Sequence, residues 1–277
     1  MKRLVLACAA LMTACAHPGP RGIASGAHYV NMGSSFAAGA GTGEAPAGSP
    51  ARCYQSIASY AHLLALRLNL ALTDVSCGGA TSAHLLAPWN ELPAQIDAVN
   101  EDTRLVTITV GGNDIAYAGN LIAASCEQGE MIRVANLSVP CPPPFAVSED
   151  AYAALENNLR TAAEAIAARA PQARIVFIQY VTLVPQAQCE QSRFTEEEAA
   201  ALRVVGARLA AITARAAEAS GAETLAMDEA SRGHTPCDSD PWSTGLPRDY
   251  QGSLAPWHPN RRGMEVIADQ LAALLAR

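Results

Sequence analysis

The run Leu105-Val106-Thr107-Ile108-Thr109-Val110 constrains the fold more than any other stretch of this chain. It is β-branched and aliphatic almost throughout, which suits a strand buried on both faces. Such strands belong to parallel sheets whose two faces are covered by helices. The rest of the chain repeats that arrangement. Strand candidates at 28–32, 72–75, 105–110, 174–181 and 223–227 alternate with helical spacing at 56–68, 92–99, 149–169, 195–219 and 260–275. In the first helix Ile57, Tyr60, Leu63, Leu64 and Leu68 fall on one face. The alternation predicts a single three-layer α/β/α domain around a mostly parallel sheet of about five strands. A length of 277 residues, 50% hydrophobic and only 16% charged, can bury the core such a domain needs. Residues 120–148, with two cysteines and Cys141-Pro142-Pro143-Pro144, read as an ordered excursion. Residues 231–256 read as irregular.

The N-terminus reads as a targeting segment rather than as part of the fold. Lys2-Arg3 precedes a short apolar run, Leu4 to Met12, and Met12-Thr13-Ala14-Cys15 resembles a lipobox. That run is too short to span a bilayer, and no later stretch looks transmembrane. The expected organisation is a lipoprotein-type signal peptide at 1–15 with lipidation at Cys15, a Pro/Gly/Ala-rich tether at 16–27, and one domain at 28–277. Ordinary signal cleavage nearby is the alternative. Two of the eight cysteines, Cys8 and Cys15, fall in the signal, which leaves Cys53, Cys77, Cys126, Cys141, Cys189 and Cys237. An even number in an exported chain reads as disulfides, with 15 pairings open to six cysteines. Sequential pairing is the simplest, because each such pair flanks a loop-rich stretch. The absence of a C-x-x-C spacing and of a histidine cluster argues against a metal site, and no cofactor is expected. A net charge of −7 without a basic run argues against nucleic acid as a partner.

Chemistry in a parallel sheet gathers at the carboxyl ends of the strands. Ser35, Gly79 and Asn113 each follow a strand candidate. Ser35 lies in Gly33-Ser34-Ser35 and is the candidate nucleophile, with Ser34 its internal competitor and helix capping the plain alternative. A serine hydroxyl needs a base within hydrogen-bond reach. Among six histidines, His258 stands apart in Trp257-His258-Pro259-Asn260, just before the last helix, where Asn260 is placed to cap. Asn113 in Gly111-Gly112-Asn113-Asp114 is a candidate donor to a developing oxyanion, and Asp114 is better suited to ordering the loop. Gly79 offers a backbone N–H at a point of close approach. A serine, an amide and a histidine in this order are the parts of an acyl-transfer site.

Those four blocks, Gly33-Ser34-Ser35, Gly79, Gly111-Gly112-Asn113-Asp114 and His258-Pro259-Asn260, resemble in order and spacing the SGNH (GDSL-type) serine hydrolases, over residues 28–277. The resemblance implies a secreted or envelope-anchored esterase or lipase. In it Ser35 attacks a carboxylic ester, His258 is the base, and Ser35 N–H, Gly79 N–H and the Asn113 amide hold the oxyanion. The six cysteines and Ser76-Cys77-Gly78-Gly79-Ala80-Thr81 look most like the secreted three-disulfide actinobacterial esterases, which implies sequential pairing. One departure stands out. Members of the family usually carry an aspartate three residues before the histidine, and here that residue is Ala255. The resemblance then implies that the Ala255 backbone carbonyl orients the imidazole, with Asp238, Asp240 and Asp249 as alternative acids. The expected substrate is a small or lipidic ester, taken by a monomer that meets the membrane only through its lipid anchor. An acetyl-sugar esterase, with Trp89, Trp242 or Trp257 as stacking platforms, and a non-catalytic envelope binding lipoprotein are the rival readings. The apolar residues Ile115, Tyr117, Leu121 and Ile122 are the candidate acyl-chain contacts.

Overall fold

The computed structural model describes residues 22–134, 137–248 and 255–277. The signal segment, Cys15, most of the tether and Asp249 lie outside the described residues.

Five strands form one sheet: β1 (His28–Gly33), β2 (Ala71–Asp74), β3 (Thr103–Thr109), β6 (Arg174–Ile178) and β7 (Glu223–Leu225). Their spatial order is β2-β1-β3-β6-β7 and every pairing is parallel. Tyr29, Val30, Leu105, Val106 and Val176 are wholly buried, as strands covered on both faces require.

Four long helices cover the sheet: α2 (Tyr60–Leu68), α4 (Glu149–Arg169), α5 (Glu196–Ser220) and α7 (Arg261–Leu275). The connection β1–α2–β2 moves one way along the sheet, while β3–α4–β6–α5–β7 moves the other. Right-handed crossovers therefore place α2 on one face and α4 and α5 on the opposite one. α7 packs on α2, and α4 packs on α5, which completes the three layers. Polar side chains mark where the helices start. Thr195 and Glu198 form a capping box for α5, Ser148 accepts from Ala151 N, and Asn260 accepts from Gly263 N at 2.9 Å.

Because the chain turns outward in both directions from β1 and β3, the crevice of the sheet lies at their carboxyl ends. Two short helices open there or beside it: α1 (Ser35–Ala38) directly after β1, and α3 (Tyr117–Ala124) after β3.

The excursion is ordered, as expected. It holds α3 and a separate antiparallel hairpin, β4 (Met131–Val134) with β5 (Leu137–Pro140). A further short helix, α6 (Met227–Ala230), follows β7. The helix expected from residue 56 starts at Tyr60 behind the cap Ser59, so Ile57 precedes it and is 48% exposed rather than buried. The segment expected as a helix at 92–99 is a single 3₁₀ turn, Gln95–Ala98.

Three disulfides join Cys53 to Cys77, Cys126 to Cys141 and Cys189 to Cys237. The sequential pairing is the one present.

Candidate active site

Gly33 ends β1 at φ 133°, and a Cβ there would stand 2.2 Å from the Thr109 carbonyl oxygen, so only glycine lets the chain turn here. The turn separates the two serines. Ser34 is fully buried, and its hydroxyl lies 3.0 Å from the Tyr180 hydroxyl. Ser35 opens α1, and its Oγ lies 2.7 Å from His258 Nε2. Ser34 is therefore a structural partner of the sheet, and Ser35 is the serine that meets the histidine.

His258 stands 223 residues from Ser35 and is carried to it by a loop pinned at several points. Ser243 bridges Pro259, Thr244 N donates to the His258 carbonyl at 2.9 Å, and Asn260 N donates to the Trp242 carbonyl at 3.0 Å. Trp257 is fully buried, stacks on Phe194 and donates its indole N–H to Ser125 Oγ at 2.9 Å. The Phe36 ring lies 4.6 Å from the imidazole.

The expectation for Ala255 is corrected by this loop. His258 Nδ1 lies 2.8 Å from the carbonyl oxygen of Pro256, whereas the Ala255 carbonyl accepts from Thr244 Oγ1 at 2.8 Å. The cause is Trp257, whose left-handed backbone (φ 58°) turns the chain so that the carbonyl two residues back faces the ring. A carbonyl only accepts, so Nδ1 carries the proton and Nε2 is left to accept from Ser35. Burial lowers the imidazole from 6.5 to about 4, partly offset by its bond to Pro256, so the ring is neutral at neutral pH.

Two of the alternative acids are occupied elsewhere. Asp238 accepts from Thr235 N and Oγ1, and Asp240 accepts from the Trp242 indole and faces His234 and Arg262.

Gly79, at φ 83°, and Ala80 follow the Cys53–Cys77 bridge. Asn113 Nδ2 donates to the Ala80 carbonyl at 2.8 Å, which ties the two candidate oxyanion loops together. Asp114 accepts from Ser82 N and Ser82 Oγ, so it orders the loop as expected. Its carboxyl is raised by burial, against the pull of those bonds.

Two supports carried no motif in the sequence. The Gln95 amide grips Gly33 on both sides, accepting from its N–H at 2.7 Å and donating to its carbonyl at 3.0 Å. Asn31, buried in β1, accepts from Tyr60 and Thr107, and donates to Asp74 and to the Ala37 carbonyl of α1. A polar residue between Val30 and Met32 was the available signal for Asn31.

Ser35 and His258 line a cleft of about 600 Å³ with Ala40, Gly41, Tyr54, Gly78 and Gly79. Its remaining wall is apolar: Ile122, Ile132, Val139, Pro140 and Pro142. Ile115, Tyr117 and Leu121 are instead core residues, so of the expected acyl contacts only Ile122 reaches the cleft. Trp242 and Trp257 are buried and offer no stacking platform.

A parallel sheet carrying a serine–histidine pair at its crevice, beside an apolar cleft, is an arrangement suited to an α/β/α hydrolase. The comparisons give the family. Residues 32–266 match the GDSL-like lipase/acylhydrolase family, and the chain belongs to it. It is 33% identical to Lipase 2 of Streptomyces coelicolor over 277 aligned residues, spanning 96% of this chain and 91% of that protein. It is 27% identical to a lipase of Streptomyces rimosus, across 85% and 81% of the two chains. Its fold matches the crystal structure of phospholipase A1 from Streptomyces albidoflavus (TM-score 0.72, 24% identity, 90% of this chain and 99% of that one). It likewise matches that of an extracellular lipase from Streptomyces rimosus (TM-score 0.71, 24% identity, 89% and 99%). The protein is a carboxylic ester hydrolase.

Proposed function

We propose that the protein is an exported serine esterase or lipase that works through an acyl-enzyme on Ser35. The observation that carries the reading is the 2.7 Å approach of Ser35 Oγ to a buried, neutral His258 at the edge of an apolar cleft. His258 takes the serine proton as Ser35 attacks the ester carbonyl, and the Pro256 carbonyl holds the imidazole in the required tautomer. The charge on the carbonyl oxygen is met by Ser35 N–H, Gly79 N–H and the second N–H of the Asn113 amide. The imidazolium then protonates the departing alcohol. Water, activated by the same histidine, releases the acid. The Ile122, Ile132, Val139 and Pro142 wall receives the acyl chain, which favours aliphatic esters over acetylated sugars. The three disulfides support export, and lipidation at Cys15 would then hold the domain at the cell envelope. The test is hydrolysis of p-nitrophenyl esters of graded acyl length, run beside Ser35→Ala. Turnover that survives the substitution overturns the reading.

A further inference from the structure

Tyr180 follows β6, is buried, and does not line the cleft. Its hydroxyl lies 3.1 Å from Gly112 N and 3.0 Å from Ser34 Oγ. An amide N–H only donates, so the phenol oxygen accepts from Gly112, and the arrangement that gives both buried hydroxyl protons an acceptor sends the phenol proton to Ser34. Ser34 in turn donates to the Thr109 carbonyl at 3.4 Å. In that arrangement each hydroxyl donates once and accepts once. Burial pushes the phenol up to about 12, which keeps that proton in place throughout the neutral range.

Both partners of the Tyr180 hydroxyl are one residue from a group of the site. Gly112 precedes Asn113, and Ser34 precedes Ser35. A Cβ on Gly112 would stand 2.9 Å from the Tyr180 oxygen, so the approach depends on that glycine. The Tyr180 ring also backs Phe36 at 4.0 Å, and Phe36 backs His258 at 4.6 Å. Among the described residues, the bond from Ser34 N to the Thr109 carbonyl is the last backbone link between the two loops. Beyond it, their spacing is left to side chains.

We infer that Tyr180 is a positioning residue that sets the distance between the Ser35 loop and the Asn113 loop, and so between nucleophile and oxyanion donor. The inference rests on the roles proposed above for Ser35 and Asn113. It predicts an effect on the transition state more than on substrate binding, because the ground-state ester needs the two loops less closely matched.

The test is Tyr180→Phe, which removes one oxygen and keeps the ring on Phe36. With p-nitrophenyl butyrate kcat falls about tenfold and KM stays within about twofold. The inhibition constant of an alkylboronic acid, which forms a tetrahedral adduct on the serine oxygen, rises by a similar factor. Ser34→Ala cuts the next link and gives the same pattern, and the double variant is no worse than the weaker single one. Wild-type kcat in both variants, additive losses, or a change in KM alone overturns the inference. Should Tyr180→Phe fail to fold, Ser34→Ala decides by the same readouts. Ser35→Ala run alongside separates the failures: if it stays active the hydrolase mechanism falls, and if it is dead while Tyr180→Phe is unimpaired only the positioning role falls.

Discussion

Ser35 and Ile132 line the same cleft but are held there by different means. Ser35 stands on the end of a central parallel strand whose last turn is gripped by Gln95, Thr109 and Asn31 through buried hydrogen bonds. Ile132 stands on a two-stranded hairpin outside the main sheet, opposite Val139. The hairpin is fastened by the Cys126–Cys141 bridge, by a 2.7 Å bond from Cys141 N to the Glu130 carbonyl, and by the Glu130–Arg193 ion pair. The difference suits the two tasks proposed for them. Bond-making chemistry requires groups fixed to a fraction of an ångström. A wall for an aliphatic chain needs only apolar area, and two strands alone are marginally stable in water, so the bridge and the packing of Ile132 on the core together hold it.

The largest effects belong to Ser35 and His258 on the floor of the cleft. Ser35→Ala and His258→Ala each lower kcat by roughly 10⁴-fold or more, on short and long esters alike. A loss that depended on chain length would break the division between floor and wall. Asn113→Ala lowers kcat by about 10²- to 10³-fold, the range for one oxyanion donor, and again without regard to acyl length. Asp238→Asn and Asp240→Asn leave kcat within about twofold, because His258 is oriented by a carbonyl and not by either acid.

The pH dependence sharpens the same point. Only neutral His258 can accept the serine proton, so kcat/KM falls as pH drops through the imidazole's lowered value of about 4, not through 6.5. Stability runs with it. Between those two values the unfolded chain binds a proton at this histidine and the folded protein does not, so unfolding is favoured as pH falls from 6.5 toward 4. Denaturant midpoints of the wild type and His258→Gln, taken at pH 7 and pH 5, check the sign: the wild type loses more stability on acidification than the variant.

The wall responds differently. Ile132→Trp fills the apolar side of the cleft. Octanoate esters then lose about tenfold in kcat/KM while acetate esters stay within about twofold, as a graded p-nitrophenyl series reads directly. An equal loss on both would mean that the wall also positions the reacting carbonyl.

How much of this could be read from the chain follows the same division. β3 announced itself through its β-branched run, and β1 through the glycine turn and serines that follow it, because buried parallel strands and strained turns each demand particular residue types. Gln95 left no such trace. A glutamine on a 3₁₀ turn is an ordinary surface residue until the fold buries it against Gly33, 62 residues away. The Pro256 carbonyl was hidden for another reason: backbone groups have no sequence signature, and the shift from Ala255 depends on the left-handed turn at Trp257. The order of the excursion was legible in its two cysteines and Cys141-Pro142-Pro143-Pro144, but its hairpin was not, because strands of only 4 residues each carry too short a pattern.

The smallest effect tests what the disulfide does. Cys126→Ser with Cys141→Ser reopens a loop of sequence separation 15, and chain entropy sets the stability at stake at about 3 kcal/mol. Opening the 48-residue separation of Cys189–Cys237 would cost about 1 kcal/mol more on the same argument. Neither bridge touches β1 or β3, so acetate ester turnover in the Cys126/Cys141 double variant stays within about twofold. Selectivity between octanoate and acetate narrows by about two- to threefold, because Ile132 and Val139 no longer hold one position against the chain. If turnover of the short ester collapsed as well, the hairpin would have to be counted with the floor of the cleft, and the two means of support would be one.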